Sequence, residues 1–576
     1  MLLPDHGERI RALIVESDVL WADAHAKVLM KHDCSVTIVP DADEALRLMQ
    51  ACYYHLVILE TQENILPRII DENKWFKYTV VCVCSEKVLV YESLAYWLRD
   101  KQATGISLDN VLYFSKGDYF PEKFWERIEQ ELQNKKLVGQ LSLEKEEAIE
   151  TLSYQMTNNL IDHIQSTRDS SKLYEHDTWV RDFYETEGYE PLRIRVEYEI
   201  YDLLRRCINV GKIKTIQLIS INGGLSKAAV IGVTPMIGEK WGKSSILKIG
   251  YHKEIQDERD AYDNHVKYIM ERAPKAEIGP RTPLLSSILY DFVEEGHSFG
   301  EIYRRPYVSN AEIETLLDDL FKKSYSEWFR NPVDSTVTAR EYMDYLKCDA
   351  NRLYDAIRHI EQQPELQNYN LWGVDYIRLP DVRRVLPNPV PYLHDSDFLG
   401  RLDYLTRNTI THGDLNANNI LIRNNTEAWL IDFARTEHSH ALRDFIQLET
   451  VVRFALLDEA TLEERYEMES YLADQTAFNE IGLIRRVYNP TGPNAHALER
   501  AYQITCKIRE LAWDVALNHA PSSHRIANFK QYQMGLFFMS LTTIRFVKHK
   551  RSPKGLSTTQ ALHALMAAAL LLRNLR

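Results

Sequence analysis

HGDLNANNILI at 412–422, followed by AWLIDFART at 428–436, is the stretch on which the reading of this chain turns. The apolar run after Asn419, the polar turn at Asn424 and Asn425 and a second apolar run describe a β-hairpin. Such a hairpin returns Asp432, at the end of its second strand, to face Asn419 at the start of its first. Asp414 precedes Asn419 by five positions. Phosphoryl transfer needs a carboxylate to orient the attacking hydroxyl, and a carbonyl and a second carboxylate to hold magnesium ions. We therefore expect Asp414 as catalytic base and Asn419 and Asp432 as metal ligands. The bland alternative is a buried hairpin with incidental carboxylates.

With 576 residues the chain is too long for one core. Its apolar and charged fractions are those of a folded globular protein. A formal net charge of −14 argues against a general nucleic-acid binder, since neutralising phosphates takes clustered Lys and Arg. Of the seven cysteines, Cys82 and Cys84 lie close together in a strand-like run. Alternation along that strand is expected to keep them from sharing a metal. Without a signal peptide in view, the thiols read as reduced and structural, and the protein as cytoplasmic. The apolar run Ala564 to Leu572 falls short of the roughly 20 residues that span a bilayer. It reads as a buried C-terminal helix, and no membrane partner is expected.

Residues 10–132 alternate strand and helix signals: RALIVES, SVTIVP, HLVILET, TVVCVCS and NVLYFSK, with helical connectors. That pattern predicts a parallel doubly wound sheet. Here the segment resembles a response-regulator receiver domain. In that family acidic residues after the first strand bind magnesium and an Asp after the third accepts phosphate, while a Ser or Thr follows the fourth and a Lys the fifth. By position these fall on Glu16 and Ser17 (with Asp18 next), Glu60, Ser85 and Lys116. Glu60 in place of the acceptor Asp moves the carboxylate by about one C–C bond, and Ser17 removes a metal ligand. The resemblance is thus to a non-phosphorylatable pseudo-receiver that serves interaction or dimerisation. An unrelated flavodoxin-like domain is the alternative.

QLSLEKEEAIETLSYQMTNNLIDHIQS, from Gln140, sets Leu143, Ile149, Leu152, Met156, Leu160 and Ile164 at helical spacing, an amphipathic linker helix. Residues 167–210 also read as helical. TIQLISINGGLSKAAVIGV at 215–233 reads as strand, Gly turn and strand, in which Gly223 and Gly224 would let backbone N–H groups approach phosphate. SSILKIGYHKEIQDERDAYDNHV at 244–266 offers a strand bearing Lys248 and a helix bearing Glu258. Lys248 is expected on the α and β phosphates with Glu258 holding its ammonium; Asp257 and Glu254 are alternatives. ILYDFVEEGHSF at 288–299 reads as a hinge, with the backbone of Phe292 and Val293 toward an adenine edge.

From about 212 onward the chain resembles the aminoglycoside phosphotransferase and choline kinase branch of the protein-kinase-like fold, through HGDLNANNIL and LIDFA. Its IDFART is similar to that of kinase-like domains attached to bacterial ternary-complex signalling or defence systems. The resemblance implies ATP and Mg2+ as cofactors and His412 as a packing residue. Gly413 stands where protein kinases carry an Arg, and Ala434 where they carry a Gly. Only a short segment separates Asp432 from Asp444, which we assign to the loop backbone. A small hydroxyl or amine acceptor is therefore favoured over a protein. The helical patterns before Asp414, EYMDYLKCDANRLYDAIRHI the clearest, suggest an inserted cap.

The expected organisation is multidomain α/β and α+β: a receiver-like domain at 1–135, a helical linker at 136–210, and a bilobal kinase-like fold with N-lobe at 211–300 and C-lobe at 301–576. The function read from it is phosphotransfer to a small molecule, regulated or localised by the pseudo-receiver. A nucleotide-binding scaffold that signals by shape is the alternative. A protein partner or a homodimer would engage the receiver-like domain and linker helix. No basic recognition helix stands out, against a nucleic-acid-binding output.

Overall fold

The computed structural model describes residues 10–576, apart from 33, 52–53, 61–64, 73–78, 86–109, 117–120, 135–141, 144–145, 167–174, 208–212, 221–227, 238–239, 294–295, 347, 349, 368, 481–484, 486, 518–527 and 549–554. The chain divides into two compact units, Met1–Gln256 with Lys275–Phe292, and Asp257–Pro274 with Val293–Arg576.

In the first unit, β1 (Ile10–Val15), β2 (Cys34–Val39), β3 (Leu56–Glu60), β4 (Val80–Ser85) and β5 (Val111–Ser115) form a parallel sheet in the order β2-β1-β3-β4-β5. Every residue of β1 is buried, as in a sheet covered by helices on both faces. The order is that of the flavodoxin-like doubly wound fold, whose ligand sites lie beyond the carboxyl ends of the strands. Helix Val19–Lys31 begins where Asp18 caps the Leu20 amide at 2.8 Å. Cys82 and Cys84 correct the sequence expectation about alternation. Two positions apart, they share one face of β4, packed with Cys34, Ile58 and Trp125. Burial pushes the Cys84 thiol up to about 12, so both behave as small apolar side chains.

Helices Glu146–Ser166, Glu175–Glu187 and Tyr189–Cys207 follow. Ile149, Leu152, Met156, Leu160 and Ile164 form the buried stripe that their spacing predicts. Leu143 lies before that helix. With Ser142 it forms a short strand, β6, paired in parallel with β7 (Ile213–Ser220), because backbone pairing was available there and helical spacing alone does not reveal it. The sheet continues through β8 (Ala229–Ile237), β9 (Lys240–Trp241), β10 (Ser245–Tyr251), β11 (Ala276–Arg281) and β12 (Leu285–Asp291), in the order β11-β12-β10-β8-β7-β6 with β9 on β8. Helix Tyr189–Cys207 links the two sheets of this unit. On one side, Asp202 meets His55 Nε2 at 2.5 Å and the Arg11 guanidinium at 3.3 Å, all fully buried. On the other, Glu199 accepts from the Leu284 amide at 2.7 Å and the Thr282 hydroxyl at 2.8 Å.

In the second unit, β13 (His297–Ser298), β14 (Val333–Thr338), β15 (Tyr376–Ile377), β16 (Leu386–Pro387), β17 (Asp403–Thr411), β18 (Ile420–Arg423), β19 (Glu427–Leu430) and β20 (Glu437–His440) form three small sheets: β13-β18-β19, β14-β17-β20 and β15-β16. The β18–β19 hairpin turns through Asn424 and Asn425, both left-handed with φ of 52° and 58°, a conformation that Asn tolerates better than most residues. The rest is helical. Helix Thr558–Leu575, capped by Ser557, buries every residue from Gln560 to Leu572, the apolar C-terminal segment of the sequence. Among the described residues no helix is long and apolar enough to cross a membrane.

Candidate functional site

Strand β17 delivers the chain to a loop, 412–419, that hydrogen bonds hold from three sides. Asp444, fully buried on helix Arg443–Thr450, accepts the His412 amide at 2.6 Å and the Gly413 amide at 2.9 Å. The Tyr345 hydroxyl donates to the Gly413 carbonyl at 2.7 Å. The buried His412 ring meets the Ile431 carbonyl at 2.9 Å through Nε2, while its Nδ1 receives the Asp414 amide at 3.3 Å. His412 is therefore a brace between the loop and the chain entering Asp432. Gly413 has a φ of +75°, and a Cβ there would stand 2.2 Å from the Arg435 carbonyl oxygen. That close approach is what places Gly, instead of a larger residue, between His412 and Asp414.

Asp414 and Asn419 are brought together directly, because Asn419 Nδ2 donates to the Asp414 carbonyl at 2.7 Å. This fixes which end of the amide faces outward: among the described residues Asn419 Oδ1 accepts no hydrogen bond. Asp432 reaches the same place through the hairpin, since the Ile431 amide donates to the Asn419 carbonyl at 3.1 Å. Its φ of +67° is unusual for a residue with a Cβ and costs on the order of 1–2 kcal/mol. The strain is held by Phe433, fully buried against His412, and by the Thr436 amide on the Phe433 carbonyl at 3.0 Å. The amide oxygen of Asn419 and the carboxylate of Asp432 are hard donors of the kind magnesium takes, usually with waters completing its shell. Among the described residues, no group of three or more His, Cys, Asp or Glu is placed to hold a metal by itself.

Lys248 lies in the first unit, nearly buried at the centre of β10 between Val230 of β8 and Ile288 of β12. Glu258 is buried on helix His252–His265, in the part that belongs to the second unit. Gly223 and Gly224 fall outside the described residues. Phe292 is exposed and Val293 half-buried, and the division between the two compact units falls between them. After Asp432 the chain turns at Thr436 and joins β17 as β20, so residues 437–440 are committed to a sheet.

Gln447 escaped the sequence reading. Its Nε2 donates to Asp414 Oδ1 at 2.9 Å. One signal was available: it lies three positions after Asp444, and hence on the same helical face. Arg443 was also missed. It is buried over the Tyr345 ring, donates to the Gly413 carbonyl at 3.3 Å and pairs with Glu437 at 2.7 Å.

At the carboxyl edge of the parallel sheet, the Lys116 ammonium sits between Glu16 at 2.8 Å and Glu60 at 3.1 Å, and Ser17 donates to Glu60 at 3.2 Å. Burial and the hydrogen bond to Glu60 raise Glu16 above the ordinary carboxylate range. Glu60 is lowered, first by that same hydrogen bond and then by Lys116. Lys116 is raised, because its two carboxylates outweigh the opposing burial.

A family model described as ternary complex associated domain 9 matches residues 371–531, a span that includes Asp414, Asn419, Asp432 and Gln447. No curated protein matches the chain. Among solved structures, the choline kinase LicA from Streptococcus pneumoniae is 10% identical, with 62% of this chain and 95% of that one covered and a TM-score of 0.30. An ethanolamine kinase of Plasmodium vivax is 10% identical over 70% of this chain and 95% of that one, with a TM-score of 0.30. An orphan response regulator of H. pylori is 18% identical, over 22% of this chain and 98% of that one, with a TM-score of 0.19.

Proposed function

We propose that this chain is an ATP- and Mg2+-dependent phosphotransferase acting on a small-molecule hydroxyl or amine, regulated or localised by a receiver-like domain that does not take up phosphate. The observation that carries the reading is the loop 412–419, where the Asp414 carboxylate is held by Gln447 while Asn419 is tied to the Asp414 carbonyl.

Asp414 would accept the proton of the acceptor as its oxygen or nitrogen forms a bond to the γ-phosphorus. The bond to the β–γ bridging oxygen breaks, and its electron pair leaves with ADP. Asn419 Oδ1 and Asp432 would hold magnesium, which when bound neutralises triphosphate charge. Lys248 would bind the α and β phosphates, steadied by Glu258, with the Gly223–Gly224 backbone on phosphate and the Phe292–Val293 backbone on adenine. The pairing of β20 with β17 supports a small acceptor, since it commits the chain after Asp432 to a sheet where a peptide platform would otherwise begin. The Lys116 bridge between Glu16 and Glu60 supports a silent receiver, because a fixed ammonium already answers the two carboxylates.

Two substitutions test the reading. Asp432→Asn removes a metal-binding charge and should weaken MgATP binding and turnover together. Asp414→Asn keeps size but removes the proton acceptor, so MgATP affinity by calorimetry should hold while turnover falls by roughly 10²–10⁴-fold. If Asp414→Asn matches wild type in both affinity and turnover, the catalytic assignment is wrong, and a nucleotide-binding scaffold is the better description.

A further inference from the structure

Gln447 and Asp444 lie three positions apart on helix Arg443–Thr450 and so share one face of it. Asp444 takes the backbone of His412 and Gly413, and Gln447 takes the side chain of the next residue, Asp414. The far end of the helix is pinned as firmly. Glu449, fully buried, accepts from Arg453 at 2.8 Å, Arg509 at 2.7 Å and Tyr532 at 2.8 Å. A single rigid turn thus sets both the path of the loop and the direction of its carboxylate.

We infer that Gln447 is a positioning residue that fixes the rotamer of the Asp414 carboxylate and reserves its second oxygen for the acceptor, an inference that rests on the reading of Asp414 as the base. Among the described residues, Gln447 alone donates to that carboxylate. The orientation of its amide is set by the chemistry, since exchanging nitrogen and oxygen would press Oε1 against an anionic oxygen. Holding this orientation leaves Gln447 Oε1 shielded from solvent with no hydrogen-bond partner among the described residues. A buried acceptor left unmet is unfavourable. The amide therefore follows the need of Asp414 over its own. A neutral donor also orients the carboxylate without cancelling its charge, as Lys or Arg would at the same place.

The test uses the full chain and basal hydrolysis of MgATP, with water as the acceptor. Gln447→Leu, close in size, should lower kcat about tenfold while leaving MgATP affinity and the KM for ATP unchanged. Gln447→Leu/Asp414→Asn should hydrolyse no more slowly than Asp414→Asn alone, because positioning is worth nothing once the carboxylate is gone. Wild-type kcat in Gln447→Leu, alongside a fall in Asp414→Asn, would overturn the inference and leave the base assignment standing. Wild-type kcat in Asp414→Asn would overturn the base assignment, and the inference with it. A measurement independent of turnover is the side-chain amide resonance of Gln447 in selectively glutamine-labelled protein, assigned by its loss in Gln447→Leu. Asp414→Ala should move it toward the free-amide position and speed its exchange. An unmoved resonance would overturn the inference even if hydrolysis proves too slow to read.

Discussion

Asp444 holds Gly413 by its backbone: Oδ1 accepts the Gly413 amide at 2.9 Å, while Oδ2 takes the neighbouring His412 amide at 2.6 Å and the Tyr325 hydroxyl at 3.1 Å. All three donors meet a carboxylate that water does not reach. Asp444→Ala would strand them, and should cost roughly 3 kcal/mol or more of folding stability. Urea unfolding measures this, and an unchanged midpoint would contradict the clamp. Asp444→Asn should cost less, because one oxygen can still accept.

Two glycines with similar positive φ should respond differently to the same change. Gly413→Ala combines a left-handed φ with a Cβ that meets the Arg435 carbonyl at 2.2 Å, so the loop must move. Gly188, with φ of +88°, has nothing within 4 Å of where a Cβ would stand. Gly188→Ala should cost only the left-handed strain of about 1–2 kcal/mol. Gly413→Ala should cost more and abolish MgATP hydrolysis as well. Equal thermal shifts in the two variants would show that the Arg435 contact is unimportant.

Much of this was legible in the residues themselves. The five strands of the first sheet lie where their apolar runs placed them, since a strand buried on both faces has little polar content to obscure it. The hairpin around Asn424 and Asn425 and the buried C-terminal helix were legible for similar reasons. Leu143 was misplaced because a two-residue strand leaves no periodic trace. Strand β14 was hidden because VDSTVT is polar and draws its order from β17. Spacing singled out Asp414, Asn419 and Asp432 as candidates, and hydrogen bonds of the loop and the hairpin bring their segments together. Gln447 belongs to a helix thirty-three positions after Asp414, and only tertiary packing brings the two together.

On the proposed reading, the amino-terminal parallel sheet should refuse phosphate. Acetyl phosphate with Mg2+, followed by intact mass measurement, should leave residue 60 unmodified, because the proposed reading puts Glu60 at the acceptor position and Lys116 already bridges it to Glu16. A stable phosphoryl gain mapped to Glu60 would sink this expectation. Glu60→Asp should restore acceptance in part, and only when Ser17 is also made acidic.

Acid should weaken the fold through buried histidines held neutral, His25 and His440 among them. Burial, aided by the Lys116 charge, lowers His25 from 6.5 to about 4. Burial lowers His440 to about 4 as well, against the opposing hydrogen bond to Gln531. Between pH 6.5 and 4 the unfolded chain therefore binds protons that the folded chain does not, so stability falls as pH falls across that window. Each site can contribute up to about 3 kcal/mol. The melting temperature of His25→Leu should fall less steeply from pH 7 to 4.5 than that of wild type, and parallel curves would refute the assignment.

The charged knot of Arg11, His55 and Asp202 makes the amino-terminal sheet a poor candidate for clean excision. A chain beginning after residue 135 would keep Asp202 on its helix, with the arginine and histidine that contact it gone. That helix also carries Glu199, which meets Thr282 and Leu284 beside β12. A truncated protein that fails to bind nucleotide would thus report a collapsed support, and its silence should not be mistaken for the loss of a signal. What the amino-terminal sheet tells the rest of the molecule is therefore better sought by single substitutions along its carboxyl edge than by removing it.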